Sequence, residues 1–209
     1  MVTLYHVPGA RSMRTLWLLH ELGIDFELVL LPFKMSALRH PDYLAVHPLG
    51  RVPALMHEGR VVFESGALAQ YLSHHFPKAG LGRAPDHPEW GEWLQWIHYA
   101  ETIAVHAAAL VQQTVFIKPE DRSPAVADLE GKRLIKALEV LERHLEARTF
   151  MLAGGFSAAD TSIGYSVHLA KGFKSLEAFA NLVAYYGRIC ERPAFQKTLA
   201  ADSEMPAPF

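Results

Sequence analysis

The sequence predicts an α/β N-terminal domain of order βαβ, irregular helix, ββα, followed by an all-α helical bundle. Three observations predict it. Strand-like and helix-like patterns alternate from Val2 to Phe76. A cluster of Pro77, Gly80, Gly82, Pro85 and Pro88 then interrupts the chain. Beyond it, apolar residues recur at helical spacing and no strand-like alternation stands out. The boundaries that follow are 1–78 for the first domain, 79–88 for the linker and 89–209 for the helical domain.

Thr3–His6 reads as a short strand. Arg11–Leu22 carries Met13, Leu16, Trp17 and Leu19 at helical spacing, with Gly23 where a left-handed stop is expected. Phe26–Leu31 is an almost unbroken apolar run, the pattern of a strand buried on both faces. Together they make a βαβ unit. Met35–His47 is less regular and reads as one loose helix. Ala54–Met56 and Val61–Phe63 form a hairpin around His57-Glu58-Gly59-Arg60, and Gly66–His74 sets Leu68, Tyr71 and Leu72 on one helical face. In the second half, Trp90, Trp93, Leu94 and Ile97 mark one stripe, and Leu134, Leu138, Leu141 and Leu145 another. Gly154-Gly155 breaks the chain, and Ser157-Ala158-Ala159-Asp160 opens a new helix with the form of a capping box. The alanine-rich run Val105–Val111 permits close helix packing or lines a cavity.

A formal charge of −2, without a long run of either sign, gives no reason to expect nucleic acid or an anionic membrane surface as partner. The single cysteine, Cys190, excludes an internal disulfide and a multi-cysteine metal site, and fits a reducing, cytoplasmic compartment. No apolar run is long enough to span a bilayer. His74-His75 and His98/His106 lack a third partner at ligand spacing, so no metal is expected.

Two segments carry chemistry. In Arg51-Val52-Pro53-Ala54-Leu55, Pro53 stands at the start of a strand, where an ordinary trans bond or a cis one would fit. A cis bond would turn the Val52 main chain outward, free to pair with an extended peptide. In Phe63-Glu64-Ser65-Gly66, a strand ends at the mouth of a helix. Ser65 is a good N-cap, and the helix N-terminus offers N–H groups to a carboxylate. Glu64 beside it could hold an ammonium, so the pair could read an α-amino acid group. The alternative is a plain cap and a solvated glutamate.

Tyr5-His6-Val7-Pro8-Gly9, Leu18-Leu19-His20-Glu21-Leu22-Gly23, His47-Pro48-Leu49-Gly50-Arg51-Val52-Pro53 and Glu64-Ser65-Gly66-Ala67-Leu68 resemble, in order and spacing, the N-terminal domain of glutathione transferases. His98-Tyr99-Ala100-Glu101, Ser157-Ala158-Ala159-Asp160 and Arg192-Pro193-Ala194-Phe195 extend the resemblance through the second domain. Within the superfamily the chain is most similar to bacterial and fungal members carrying an H-P-L-G-[KR]-x-P segment.

The resemblance implies a thioredoxin-like first domain, with glutathione as co-substrate lying extended against Val52 and cis-Pro53. The γ-glutamyl end would meet Glu64 and Ser65, and the glycine carboxylate Arg51 or His40. The thiol would sit at the turn His6–Ser12, where Ser12 or Tyr5 supplies a hydroxyl donor or Arg11 a positive field. A cysteine used by some classes in this turn is absent, with Arg11 at about that place, which counts against disulfide chemistry. The implied activity is conjugation of the thiolate to small hydrophobic electrophiles, held against Trp93, Tyr99 and His106, in a detoxifying cytoplasmic enzyme. The alternative is a non-catalytic glutathione-binding or regulatory protein of the same fold. A homodimer is implied, built on the Tyr71 helix and the first helix of the second domain.

Overall fold

The computed structural model describes residues 1–203. Its contacts form two units, one of residues 1–84 together with the last helix from Arg192, the other of Pro85–Glu191. The first unit runs β1 (Val2–His6), α1 (Met13–Leu22), β2 (Phe26–Leu30), α2 (Met35–Leu38), α3 (Pro41–Leu44), β3 (Ala54–His57), β4 (Arg60–Phe63) and α4 (Ser65–His75). The sheet order is β2-β1-β3-β4. β1 is parallel to β2 and antiparallel to β3, and Leu4 faces Leu28 on one side and Leu55 on the other. This is the thioredoxin-like arrangement. Leu4, Leu55, Leu16, Leu19, Leu68 and Leu72 have no exposed surface and form the core under α1 and α4.

Local signals translate directly. Gly23 ends α1 at φ 64°, in the left-handed region that only glycine enters without cost. Glu58 (φ 51°) and Gly59 (φ 74°) form a two-residue turn with both central φ angles positive, the geometry that matches strand twist in a hairpin.

Two expectations are corrected. The Phe26–Leu31 run is not buried on both faces: β2 is an edge strand, its Glu27 exposed and its other residues half-buried. The loose helix at Met35–His47 is instead two four-residue helices, α2 and α3, parted at His40. The cause is Pro41. The residue before a proline is driven from the helical region, and His40 adopts φ −61°, ψ 139°.

The second unit contains α5 (Trp90–Val111), α6 (Pro124–His144), α7 (Ala158–Ala170) and α8 (Ala180–Cys190). α7 packs along α5, where Ala100, Ala104 and Ala107 are buried and Ser166 donates to the Ala100 carbonyl at 3.2 Å. Small side chains at that seam let two backbones approach. The capping box forms: the Ser157 N–H donates to Asp160 Oδ2 at 2.8 Å, while Ser157 Oγ accepts from the Ala159 N–H at 3.2 Å. Among the described residues, no helix is long and apolar enough to cross a membrane.

The last helix, α9 (Pro193–Asp202), packs on α1. Phe195 is fully buried with its ring 4.5 Å from that of Trp17, and Arg192 holds Glu21 through two hydrogen bonds of 2.6 and 2.7 Å. The boundary drawn at 89–209 follows chain position and gives α9 to the helical domain. Packing gives it to the first unit.

Candidate active site

Everything expected of the Val52 edge depends on how the chain approaches it. Gly50 has φ 57°, and a Cβ there would collide with the Leu38 carbonyl. Tyr43 then anchors the next residue, its hydroxyl donating to the Arg51 carbonyl at 2.6 Å. Burial, with the Tyr5 phenol adding to it, lifts the Tyr43 phenol well above the usual tyrosine range, so it stays a proton donor. Tyr43 forms a small core with Val7 and Leu38, around which Tyr5, Ala10, Phe33, Val46 and Val52 pack. The Val52–Pro53 bond is cis. Among the described residues, neither the N–H nor the carbonyl of Val52 has a main-chain partner. An unpaired edge of backbone therefore lies beside the turn that follows β1.

The second segment closes on the same place. Glu64 is exposed and adopts φ 75°, ψ 113°, a conformation that costs a non-glycine residue roughly 1–3 kcal/mol. It occupies the N-cap position of α4. Ser65 is therefore the first helical residue, not the cap, and its buried hydroxyl accepts from Arg14 Nη1 at 3.0 Å. That contact ties the start of α4 to the first turn of α1. The N–H groups of the first turn of α4 point toward its N-terminal end, as at any helix start, and form a small positive site beside the Glu64 carboxylate.

In the turn between β1 and α1, Ser12 is fully buried, 2.8 Å from His6 Nδ1, and its hydroxyl accepts from the Val7 N–H at 3.2 Å and donates to the Val7 carbonyl at 3.3 Å. It is an internal link between β1 and α1, with no exposed surface. Tyr5 is half-buried, its ring 5.6 Å from that of Tyr43. Arg11 is half-buried at the mouth of α1. On its far side the turn meets α9: Asp202 Oδ2 accepts from the Gly9 N–H at 2.8 Å, and Oδ1 lies 3.1 Å from His6 Nε2, out of line for a hydrogen bond.

Of the two candidate cations, His40 caps α3, accepting weakly from the Asp42 N–H at 3.4 Å, with the Asp42 carboxylate also 3.4 Å away. Arg51 is exposed next to Val52 and carries no such neighbour in the ion pairs of the described residues. His47, from the same segment, is buried with its ring 4.7 Å from Phe63. Burial pulls its imidazole below the ordinary value, partly offset by the Glu64 carboxylate, so it is neutral near pH 7.

The model of the "Glutathione S-transferase, N-terminal domain" matches residues 1–74, the segment that contains all of these groups except α9. Glutathione S-transferase 3 of Zea mays is 30% identical over 98% of this chain and 96% of its own length. The chain belongs to the glutathione S-transferase family. Glutathione S-transferase GstA of Escherichia coli O157:H7 is also 30% identical, over 95% of this chain and 98% of its own. A sphingomonad glutathione S-transferase, solved as a complex with glutathione, superposes with a TM-score of 0.86 at 26% identity, covering 97% of this chain and 100% of that one. The chain is thus an enzyme of the glutathione transferase type.

Within this glutathione transferase, the structure gathers Tyr5, Arg11, Val52, Pro53, Glu64 and Ser65 around the C-terminal end of β1 and the starts of α1 and α4. His40 stands at the N-cap of α3, the helix that carries Tyr43. The residues expected to hold an electrophile divide. Trp93 is buried, whereas Tyr99 and His106 line an open pocket on α5 and α6 with Thr102, Lys132, Arg133, Lys136 and Ala137. Sequence reasoning missed Arg14, Tyr43, His47 and Asp202. His47 had a signal, since it opens the H-P-L-G segment, and Arg14 had one in being a charge on the apolar face of α1. Asp202 acts on Gly9, 193 positions away, and Tyr43 on a main-chain carbonyl across an irregular loop, and no local pattern marks either.

Proposed function

We propose that this glutathione transferase binds glutathione extended along Val52 and joins its thiolate to small hydrophobic electrophiles. The observation that carries this reading is the unpaired Val52 main chain next to Glu64 and the first turn of α4. A peptide-like ligand pairs with the former. The α-carboxylate of a γ-glutamyl group suits the α4 N–H groups, and its ammonium suits Glu64. Arg51, exposed one residue before Val52, takes the glycine carboxylate in preference to His40. A sphingomonad relative solved with glutathione supports the ligand.

A free thiol has a pKa near 8.5, and lowering it by two units needs roughly 2.7 kcal/mol of preference for the thiolate. With Ser12 enclosed, the groups left to supply it are the N-terminal end of α1, worth up to about 2 kcal/mol in a partly buried site, and the Arg11 cation. The thiol proton leaves to solvent. The sulfur lone pair forms a carbon–sulfur bond, and the leaving group departs with the electron pair of the bond it breaks. Holding both reactants in attack geometry does the rest.

Glu64→Ala is expected to weaken glutathione about 10- to 100-fold by calorimetry, the range for losing a charge-assisted hydrogen bond. Unchanged affinity would remove this pose. Conjugation of an activated aryl chloride separates the enzyme from the non-catalytic alternative, which predicts retention on immobilised glutathione without turnover. Ser12→Ala gives a different signature. It strips the buried Val7 N–H and His6 of their partner and is expected to cost about 2 kcal/mol of stability in denaturant unfolding. The pH profile of kcat/KM should keep its thiol ionisation where it was. A large upward move would return Ser12 to the role of thiol donor. A homodimer in the cytoplasm is part of the same reading, and light scattering at the dimer mass tests the assembly.

A further inference from the structure

The turn after β1 has the makings of a type II turn. Ala10 N–H donates to the Val7 carbonyl at 3.1 Å, Pro8 stands at the second position, and Gly9 at the third has φ 71°. Type I and type II turns differ chiefly in a flip of their central peptide, here Pro8–Gly9, and the flip reverses the N–H and carbonyl of that plane. Asp202 Oδ2 accepts the Gly9 N–H at 2.8 Å, so it holds this peptide in one of the two orientations, with the Pro8 carbonyl directed away from α9.

The acceptor is an unusual choice for its own helix. Asp202 is the last residue of α9, where a negative charge faces the negative end of the helix dipole. What holds it there is the Gly9 N–H, which it accepts at 2.8 Å, with the fully buried His6 ring 3.1 Å from its other oxygen. His6 reaches on from its other nitrogen to Ser12, 2.8 Å away, which in turn binds Val7 at both main-chain groups. Ser12 thus fastens the base of the turn to β1, and Asp202 sets the Pro8–Gly9 peptide plane at its tip. Ala10, at the turn's tip, packs in the cluster that contains Val52.

We propose that Asp202 is a positioning residue of the transferase reaction, holding the Val7–Ser12 turn in the one conformation that directs the N-terminal end of α1 at the glutathione thiol. The proposal rests on the glutathione pose argued above. It assigns to the last helix, 193 positions away from Gly9 in the chain, a part in ionising the thiol and none in binding the tripeptide. Val52, Glu64 and Ser65 are untouched by it.

The test is a split between affinity and turnover in the full-length protein. In Asp202→Ala, glutathione affinity by calorimetry should stay within about twofold, while kcat with an activated aryl chloride falls about tenfold, the size of one lost main-chain orientation. The pH at which kcat/KM rises should move up, since less thiolate forms. Asp202→Asn keeps a carbonyl oxygen for the Gly9 N–H and should recover most of the loss. Ser157→Ala, which loosens the fold in the other unit, serves as a control for stability alone and should leave kcat unchanged below its unfolding temperature. Amide exchange at Gly9–Ser12 should quicken in Asp202→Ala and return toward wild type in Asp202→Asn. Wild-type turnover in Asp202→Ala, or an equal loss in Ser157→Ala, overturns the proposal while leaving the binding pose standing. A parent protein that fails to bind glutathione sinks the pose itself, and the proposal with it.

Discussion

Asp160→Asn is expected to destabilise the protein by about 3 kcal/mol at pH 7, the sum of a charge-assisted hydrogen bond and a buried donor left unpaired. Asp160 has no exposed surface. Its carboxylate accepts from the Met151 N–H at 2.9 Å, the Ser157 N–H at 2.8 Å and the Tyr185 hydroxyl at 3.2 Å. Every one of those partners is a donor. An amide in the same place must turn its NH₂ toward either Met151 or Ser157, and one main-chain N–H then faces another donor. For a chain of 209 residues the midpoint of thermal unfolding should drop by roughly 6–12 °C.

The pH dependence adds a second check. Burial raises the Asp160 carboxyl from its ordinary 3.8 to about 6, against the pull of those donors. The folded state therefore binds this proton more tightly than the unfolded chain does. Stability from that linkage is fully present below about pH 4 and is lost as pH rises through 6. Since asparagine does not titrate, the gap between parent and variant should widen as pH is lowered from 7 to 4.5 in urea unfolding. A gap that closes on acidification would show that Asp160 is held below its ordinary value instead.

What could be read in the sequence was what is written locally. The stop at Gly23, the Glu58-Gly59 turn and the Ser157/Asp160 cap each depend on residues within a few positions, and each formed. The segments at Val52–Pro53 and Glu64-Ser65 were legible for the same reason, though Ser65 yielded the cap position to Glu64 because the buried Arg14 takes its hydroxyl. Strand order was not legible. A run such as Phe26–Leu31 looks the same whether it is central or on an edge, because its neighbours are chosen by the topology. A serine at a helix mouth has the right type and place for a thiol donor, but the way His6 and Val7 enclose Ser12 is set by packing and not by local pattern. Chain position likewise concealed that α9 completes the first unit.

Glu21→Ala should remove the fastening that makes α9 part of that unit, at a cost of about 3 kcal/mol. The Glu21 side chain is only 8% exposed, and it accepts three hydrogen bonds: Trp17 Nε1 at 2.8 Å, Arg192 Nε at 2.6 Å and Arg192 Nη2 at 2.7 Å. An exposed ion pair is worth less than about 1 kcal/mol, and removal of one partner from a buried pair costs about 3–5 kcal/mol. This pair lies between them, since Arg192 retains 29% exposure, but its bidentate geometry and the indole N–H left without an acceptor place it near the upper range. Glu21→Gln keeps an acceptor for Trp17 and loses only the charge, so it should fall roughly midway. A double-mutant cycle with Arg192→Ala should return a coupling of about 2 kcal/mol; a coupling near zero would mean the pair only decorates a seam held by Trp17 and Phe195. The loss should be concentrated in α9. Amide exchange there should accelerate before that of β1 and β3, because the ion pair sits at the start of the helix and the Trp17–Phe195 contact one turn later. The far end of α9 carries Asp202, so a helix released at Arg192 also slackens its grip on Gly9.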